Sequence, residues 1–200
     1  MAKQLTAKGM ATRQRIVRSG AELAYRRGAA MTSLEDILEH AGAGKSQLYH
    51  YFDGRDDLEA AIAEHQVAFV LDLHEPHLAH LDGLASLAAW FDQLVETHTA
   101  LGFLGGCPVG SLANELADHN EAARDALLVA FDTWRRALVS GFVLMQQRGD
   151  LRPDTEPDAL ANAVIASIQG GILLARIDRD GTPLRDALDQ TLRTLRAAAV

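Results

Sequence analysis

The chain has 200 residues, 48% of them hydrophobic and 23% charged, which is enough apolar side chain for one or two globular domains with a real core. A net charge of −8 argues against a nucleic-acid partner only until it is resolved along the chain: nine Lys/Arg stand against five acids through Arg55 (net +4), and ten against 22 beyond it (net −12). A basic head on an acidic body confines any phosphate contact to the head.

The single cysteine, Cys107, excludes an intrachain disulfide and fits a reducing cytosol. The first thirty residues contain no apolar run of signal-peptide type. The longest apolar stretch, Ala161 to Ala175, is interrupted by Asn162, Ser167 and Gln169 and is too short to span a bilayer. A cytoplasmic protein without a membrane segment is expected.

Residues 1–8 read as a frayed basic tail. A first helix is expected from Thr12 to Arg27, with Ile16, Gly20, Leu23 and Ala24 on its inner face and Gly28 as its stop. Arg15, Arg18, Glu22 and Arg26 form the solvated face. In Met31 to Asp57, Leu34, Ile37 and Leu38 recur at i, i+3, i+4 behind a Ser33 cap, and Ala41-Gly42-Ala43-Gly44 breaks the helix. Lys45 to Tyr51 then forms a second short helix that buries Leu48 and turns Lys45, Ser46, Gln47, Tyr49 and His50 outward. Phe52 reads as core, and Tyr51 fits either side. Two helices so spaced form a helix-turn-helix, whose second helix enters a DNA major groove.

Arg55 opens a long helix with Asp56 and Asp57 in its first turn, where negative charge suits the dipole. Leu58, Ala61, Ile62, His65, Phe69 and Leu73 continue its inner face, and Pro76 kinks or ends it. His74, His77 and His80 invite a metal reading, but the proline breaks their stacking and no Cys or carboxylate completes a tetrahedral set, so solvated histidines are expected. Asp82 is placed to cap a helix reaching Leu101, with Leu87, Trp90, Phe91, Leu94, Val95 and His98 inward. Pro108 to His119 reads as a short helix, and Asn120 caps a long one to Arg148 whose inner side carries Phe131, Trp134, Leu138, Phe142 and Met145. After a linker with Pro153 and Pro157, Ala159 to Asp178 is apolar nearly all round. Leu184, Leu188, Leu192 and Leu195 then repeat along the last helix. The chain is all-α. A chain of this length can scarcely bury both final helices, so Val164, Ile168, Gly171, Leu184, Leu188, Leu192 and Leu195 are expected at a homodimer seam.

The run Ala41-Gly42-x-Gly44-x-Ser46-x-Leu48-Tyr49-x-Tyr51-Phe52-x-x-Arg55-x-x-Leu58, with Thr12…Ile16 and Ser33-Leu34-x-Asp36-Ile37 before it, resembles the signature of the TetR (tetracycline repressor) family of bacterial transcription regulators. The resemblance covers about residues 10 to 60; Gly44 and Ser46 depart from its commonest residues. It implies an N-terminal three-helix DNA-binding domain (residues 1–54) and a C-terminal helical domain (residues 55–200) that dimerises through its last two long helices and holds a small effector. Lys45, Ser46 and Gln47 are expected near base edges, with Gln47 pairing to adenine. Tyr49, His50, Thr32, Ser33 and Arg55 are expected along the phosphates of a near-palindromic operator, with Gly44 and Tyr51 also counted among the DNA-binding residues. Trp90, Phe91, His98, Phe103, Phe131, Trp134, Phe142, Met145 and Gln169 are candidates to line the effector pocket. Few polar side chains accompany them, which suggests a lipophilic or aromatic effector.

Cys107 immediately precedes Pro108, where a helix dipole favours thiolate, and an electrophile-sensing or redox-sensing repressor is one alternative. A helical ligand-binding or interaction protein that has lost DNA recognition is the other. Gly42-Ala43-Gly44-Lys45-Ser46 mimics the end of a phosphate-binding loop, but that motif needs glycine at Glu39 and a preceding strand. No cofactor, metal or enzymatic constellation is found in the sequence.

Overall fold

The computed structural model describes residues 6–199, and the first five residues of the expected basic tail, Lys3 among them, lie outside these. The described residues form nine helices: α1 (Ala7–Arg27), α2 (Leu34–Ala41), α3 (Lys45–Tyr51), α4 (Arg55–Leu78), α5 (Leu84–Ala100), α6 (Pro108–Leu116), α7 (Glu121–Arg148), α8 (Pro157–Asp178) and α9 (Thr182–Ala197). Two compact units result. One comprises the described chain to Phe69 together with Pro108–Val129; the other comprises Val70–Cys107 and Ala130 onward. Helix α6 and the start of α7 fall in the same compact unit as α1–α3, across the sequential boundary expected at residue 54.

In the first unit α1 starts at Ala7, earlier than its apolar stripe does, because the Thr6 side chain accepts the Gly9 N–H and caps it. Ile16, Gly20, Leu23 and Ala24 are all buried. A Cβ on Gly20 would meet the tip of Ile62, so the missing side chain lets α4 lie close on α1. Ser33 caps α2 in a reciprocal box with Asp36, as its position and the acid three residues on dictate. Gly42 ends α2 in the left-handed region at φ 57°. Leu48 and Phe52 are buried, and the Arg13 guanidinium lies 5.0 Å from the Phe52 ring centroid.

In the second unit all six residues read as the inner face of α5 are buried, as are Trp134, Leu138, Phe142 and Met145 of α7. Asn120 Oδ1 accepts the Ala123 N–H at 2.9 Å to start α7. Three expectations fail locally. Helix α4 runs past Pro76 to Leu78, since one missing N–H is outweighed by a last turn that still closes, Ala79 N–H donating to Glu75 O at 2.9 Å. Helix α5 is capped at Gly83 by the hydroxyl of Ser86, and Asp82 contributes only its backbone N–H to the same oxygen. Phe69 and Leu73 are exposed, and His74 is buried.

The dimer seam read from the leucine repeat is also corrected. Val164, Ile168, Gly171, Leu184, Leu188, Leu192 and Leu195 are buried within this chain, because α9 packs along α8 and against α5. A Cβ on Gly171 would meet Leu184, so that glycine serves the contact inside the chain. The apolar residues that α8 leaves uncovered are Leu173, Leu174 and Ile177, at 56%, 52% and 68% exposure. Helix α8 has 22 residues with an 18-residue window of mean hydropathy 1.5, long and apolar enough by itself to cross a bilayer, which the shorter stretch read from the sequence is not. Its buried face against α9 assigns it to the packed body.

Two outcomes follow from this packing. A Cβ on Gly141 would overlap the backbone carbonyl of Leu81, which cannot move aside, whereas one on Gly20 meets only the end of a flexible side chain. Gly141→Ala is expected to cost about 1–3 kcal/mol in urea unfolding, and Gly20→Ala clearly less. Burial pushes the His74 imidazole down to about 4, with repulsion from His77 and His98 adding to it. Between pH 6.5, the ordinary value, and about 4, the unfolded chain binds a proton that the folded chain refuses. This contribution is whole above pH 6.5 and is lost as pH falls towards 4, about 3 kcal/mol in all. Unfolding midpoints against pH should show a steeper acid loss for the wild type than for His74→Gln.

Candidate nucleic-acid interface

The recognition helix α3 is short, and its position is fixed from outside it. Arg15 Nε donates to Ala41 O at 2.7 Å, closing the end of α2 against α1. His40 Nε2 lies 3.3 Å from a carboxylate oxygen of Glu22 on α1. Leu48 then anchors α3 into the core, leaving Lys45, Ser46, Tyr49 and His50 exposed on one continuous face, with Tyr51 half-buried against the His50 ring. These are the outward residues expected from the helical period.

Their partners refine the expected roles. Lys45 Nζ pairs with Glu35 Oε1 at 2.8 Å on the exposed surface; the hydrogen bond and the charge of Glu35 hold the ammonium above its ordinary range. Gln47 Oε1 accepts the Gly44 N–H at 3.0 Å, the half of a capping box that a glycine N-cap can still form, and no side-chain oxygen among the described residues caps the first turn of α3. Bidentate pairing of Gln47 to adenine would require this bond to break; with the bond kept, the amide Nε2 is left to donate. Thr32 is buried and donates its hydroxyl to Gly28 O at 2.7 Å, away from any surface phosphate. Arg55 Nε pairs with Glu59 at 2.7 Å and its Nη2 donates to Ala29 O at 3.0 Å, which makes it a tie between α4 and the α1–α2 loop. Ser33 remains exposed at the N-terminus of α2.

Sequence reasoning missed Glu115 and Asn120 as parts of the head. Glu115 Oε2 on α6 accepts the Ala30 N–H at 2.8 Å. Asn120 Nδ2 donates to Asp56 O at 2.9 Å. Their distance along the chain from residues 28–59 left no local signal.

The effector candidates lie in the second unit. Trp90, Phe91, His98, Trp134, Phe142 and Met145 are buried; Phe103, Phe131 and Gln169 are half-buried. His74, missed in the sequence, stands between Trp90 and Trp134 with ring centroids 5.7 Å from each. Cys107 is buried, and Gln169 Nε2 donates to its sulfur at 3.5 Å. Burial removes the access that an electrophile sensor needs. Among the described residues no group of three or more His, Cys, Asp or Glu is arranged to hold a metal ion.

Comparison with known proteins agrees with this geometry. Residues 16–62 match the family model described as bacterial regulatory proteins, tetR family, and residues 83–191 match the model for the tetracyclin repressor-like C-terminal domain. An uncharacterised helix-turn-helix transcriptional regulator of Mycobacterium tuberculosis is 33% identical over 92% of this chain and 93% of its own length. The transcriptional regulator AcuR of Cereibacter sphaeroides is 34% identical over 86% of this chain and 79% of its own. A crystal structure of a regulatory protein TetR from Rhodobacter sphaeroides superposes with a TM-score of 0.81 at 29% identity, covering 94% of this chain and 98% of that one. With a helix-turn-helix head of this construction and a matching helical body, the chain belongs to the tetR family of helix-turn-helix transcriptional regulators.

Proposed function

We propose that this regulator acts in the cytoplasm as a homodimeric repressor, reading a near-palindromic operator with two copies of α3 and leaving it when a small molecule occupies the second unit. The observation that carries the reading is the exposed face Lys45, Ser46, Tyr49 and His50, projected from a head whose other polar side chains are turned to holding it in place. Ser46 and His50 are assigned to base edges, Tyr49 and Ser33 to phosphates, and Lys45 to a phosphate once Glu35 gives it up.

The dimer is assigned to the α8 face bearing Leu173, Leu174 and Ile177, which the described residues leave exposed. Two-fold pairing there would set the two heads on half-sites about one helical turn apart. Release requires that the effector bind the DNA-incompetent form more tightly than the competent one.

Selection of bound duplex from a random pool, followed by gel shift across a salt series, tests the DNA reading; a protein indifferent to every duplex would refute it. On the selected operator Lys45→Ala should lower the salt slope by about one unit. Glu35→Gln should tighten binding by a few-fold at low salt, because a surface ion pair worth under about 1 kcal/mol no longer competes for Lys45. Arg55→Ala should leave the salt slope intact and instead cost about 1.5–3 kcal/mol of stability, the range for hydrogen bonds to charged groups. Sedimentation of Ile177→Glu should give monomers with weakened operator binding; a dimer unchanged by that substitution would move the interface elsewhere.

A further inference from the structure

Among the described residues, four buried side-chain atoms of the second unit find no hydrogen-bond partner: His74 Nδ1 on α4, Trp90 Nε1 and Gln93 Oε1 on α5, and Trp134 Nε1 on α7. The rings that carry three of them form one cluster. His74 meets Trp90 edge-on at 74° and Trp134 at 32°, both with centroids 5.7 Å apart, and Phe131 closes on Trp134 at 5.3 Å. His74, Trp90 and Trp134 are each more than nine-tenths buried. Gln93 follows Trp90 by three residues on α5, which places the two on one helical face.

The unmet atoms specify their complement. An indole N–H can only donate, and the oxygen of a glutamine amide can only accept. Whatever answers this set must therefore offer an acceptor to the two tryptophans and a donor to Gln93. It must also be uncharged. The buried basic side chains described in this unit are His74 and His98, and burial lowers the pKa of both, so neither supplies a cation at neutral pH. A carboxylate set among them would be buried without a counter-charge.

The geometry points to a ligand site where α4, α5 and α7 bring His74, Trp90, Gln93 and Trp134 together, built for an uncharged, ring-sized organic molecule with a carbonyl acceptor and an N–H or O–H donor, in the manner of an aromatic amide. The inference rests on the reading of this unit as the effector-binding one and names the effector's chemistry. It narrows the lipophilic or aromatic effector expected from the sequence to an aromatic one with a polar donor and acceptor.

Trp90 and Trp134 are the two tryptophans of the chain, so fluorescence of the full-length protein without DNA, excited at the red edge where the three tyrosines do not absorb, reports on this site. The probes are benzamide, benzoate and toluene, which share a ring and differ in having a neutral donor–acceptor group, an anionic group or no polar group. Benzamide should change the emission saturably, with benzoate and toluene each about ten-fold weaker or more. Trp134→Phe keeps a ring and removes one donor, and should weaken benzamide several-fold while leaving toluene unchanged. If that variant does not fold, Gln93→Leu tests the acceptor in the same way. Toluene binding as well as benzamide, or benzoate binding more tightly, would overturn the proposal. So would the lack of a saturable response to any probe up to millimolar concentration, which would leave a buried water to answer these atoms. Operator release is measured separately: benzamide that binds without releasing DNA would refute the effector reading and leave the site standing.

Discussion

The head of this protein depends on three backbone groups in the short loop between α1 and α2. A loop pressed against a core must find partners for its N–H and C=O groups, or lose stability for each one left unmet. Here side chains from elsewhere supply them: Thr32 donates to Gly28 O, Arg55 of α4 to Ala29 O, and Glu115 of α6 accepts the Ala30 N–H. Arg55 is in turn held by Glu59, and Asn120 reaches the same carboxylate from the start of α7. The loop sets where α2 begins, α2 sets the turn, and the turn sets α3. A recognition helix of seven residues cannot hold its own orientation, so the direction of Lys45 and Ser46 is inherited from this network.

The parts of the fold that were legible in the sequence are those in which the signal is local. The six inward residues of α5 follow from the helical period alone, and the Ser33–Asp36 box and Gly42 mark both ends of α2. The outward face of α3 was legible for the same reason. Illegible were the partners of those residues. Period shows that the leucines of α9 are covered, but not by what, and the chain's own α8 supplies the cover that the sequence reading assigned to a second copy. The start of α1 was missed because Ala7, Lys8 and Gly9 carry no apolar stripe and only a side-chain cap at Thr6 makes them helical. Arg55 and Thr32 look like phosphate ligands by position, and become internal ties only once Ala29 and Gly28 are in place beside them.

His74 failed for the opposite reason. Its neighbourhood in sequence, with His77, His80 and Pro76, suggests a wet helix end, and a buried histidine is exceptional enough that local context argues against it. What buries it is Trp90 on the next helix and Trp134 two helices further on, at sequence separations of 16 and 60 residues.

The two units thus treat their buried polar groups differently. In the head Thr32, Glu59 and Asn120 are buried and each has a partner in this chain, which suits a surface that must present one fixed shape to a rigid duplex. In the body two indoles, an imidazole and an amide oxygen remain unanswered around a cluster whose His74, Trp90 and Trp134 rings are all buried. Such a cluster has to part before a ring-sized molecule can enter, so the ligand meets a conformation that the empty protein visits rarely. The apparent affinity is reduced by that rarity, and the same free-energy gap is what the ligand can turn into a shift of population. For a regulator, atoms left unsatisfied in the resting body are therefore useful: they raise the energy of the empty closed form, and they reward only a molecule whose polar groups match them.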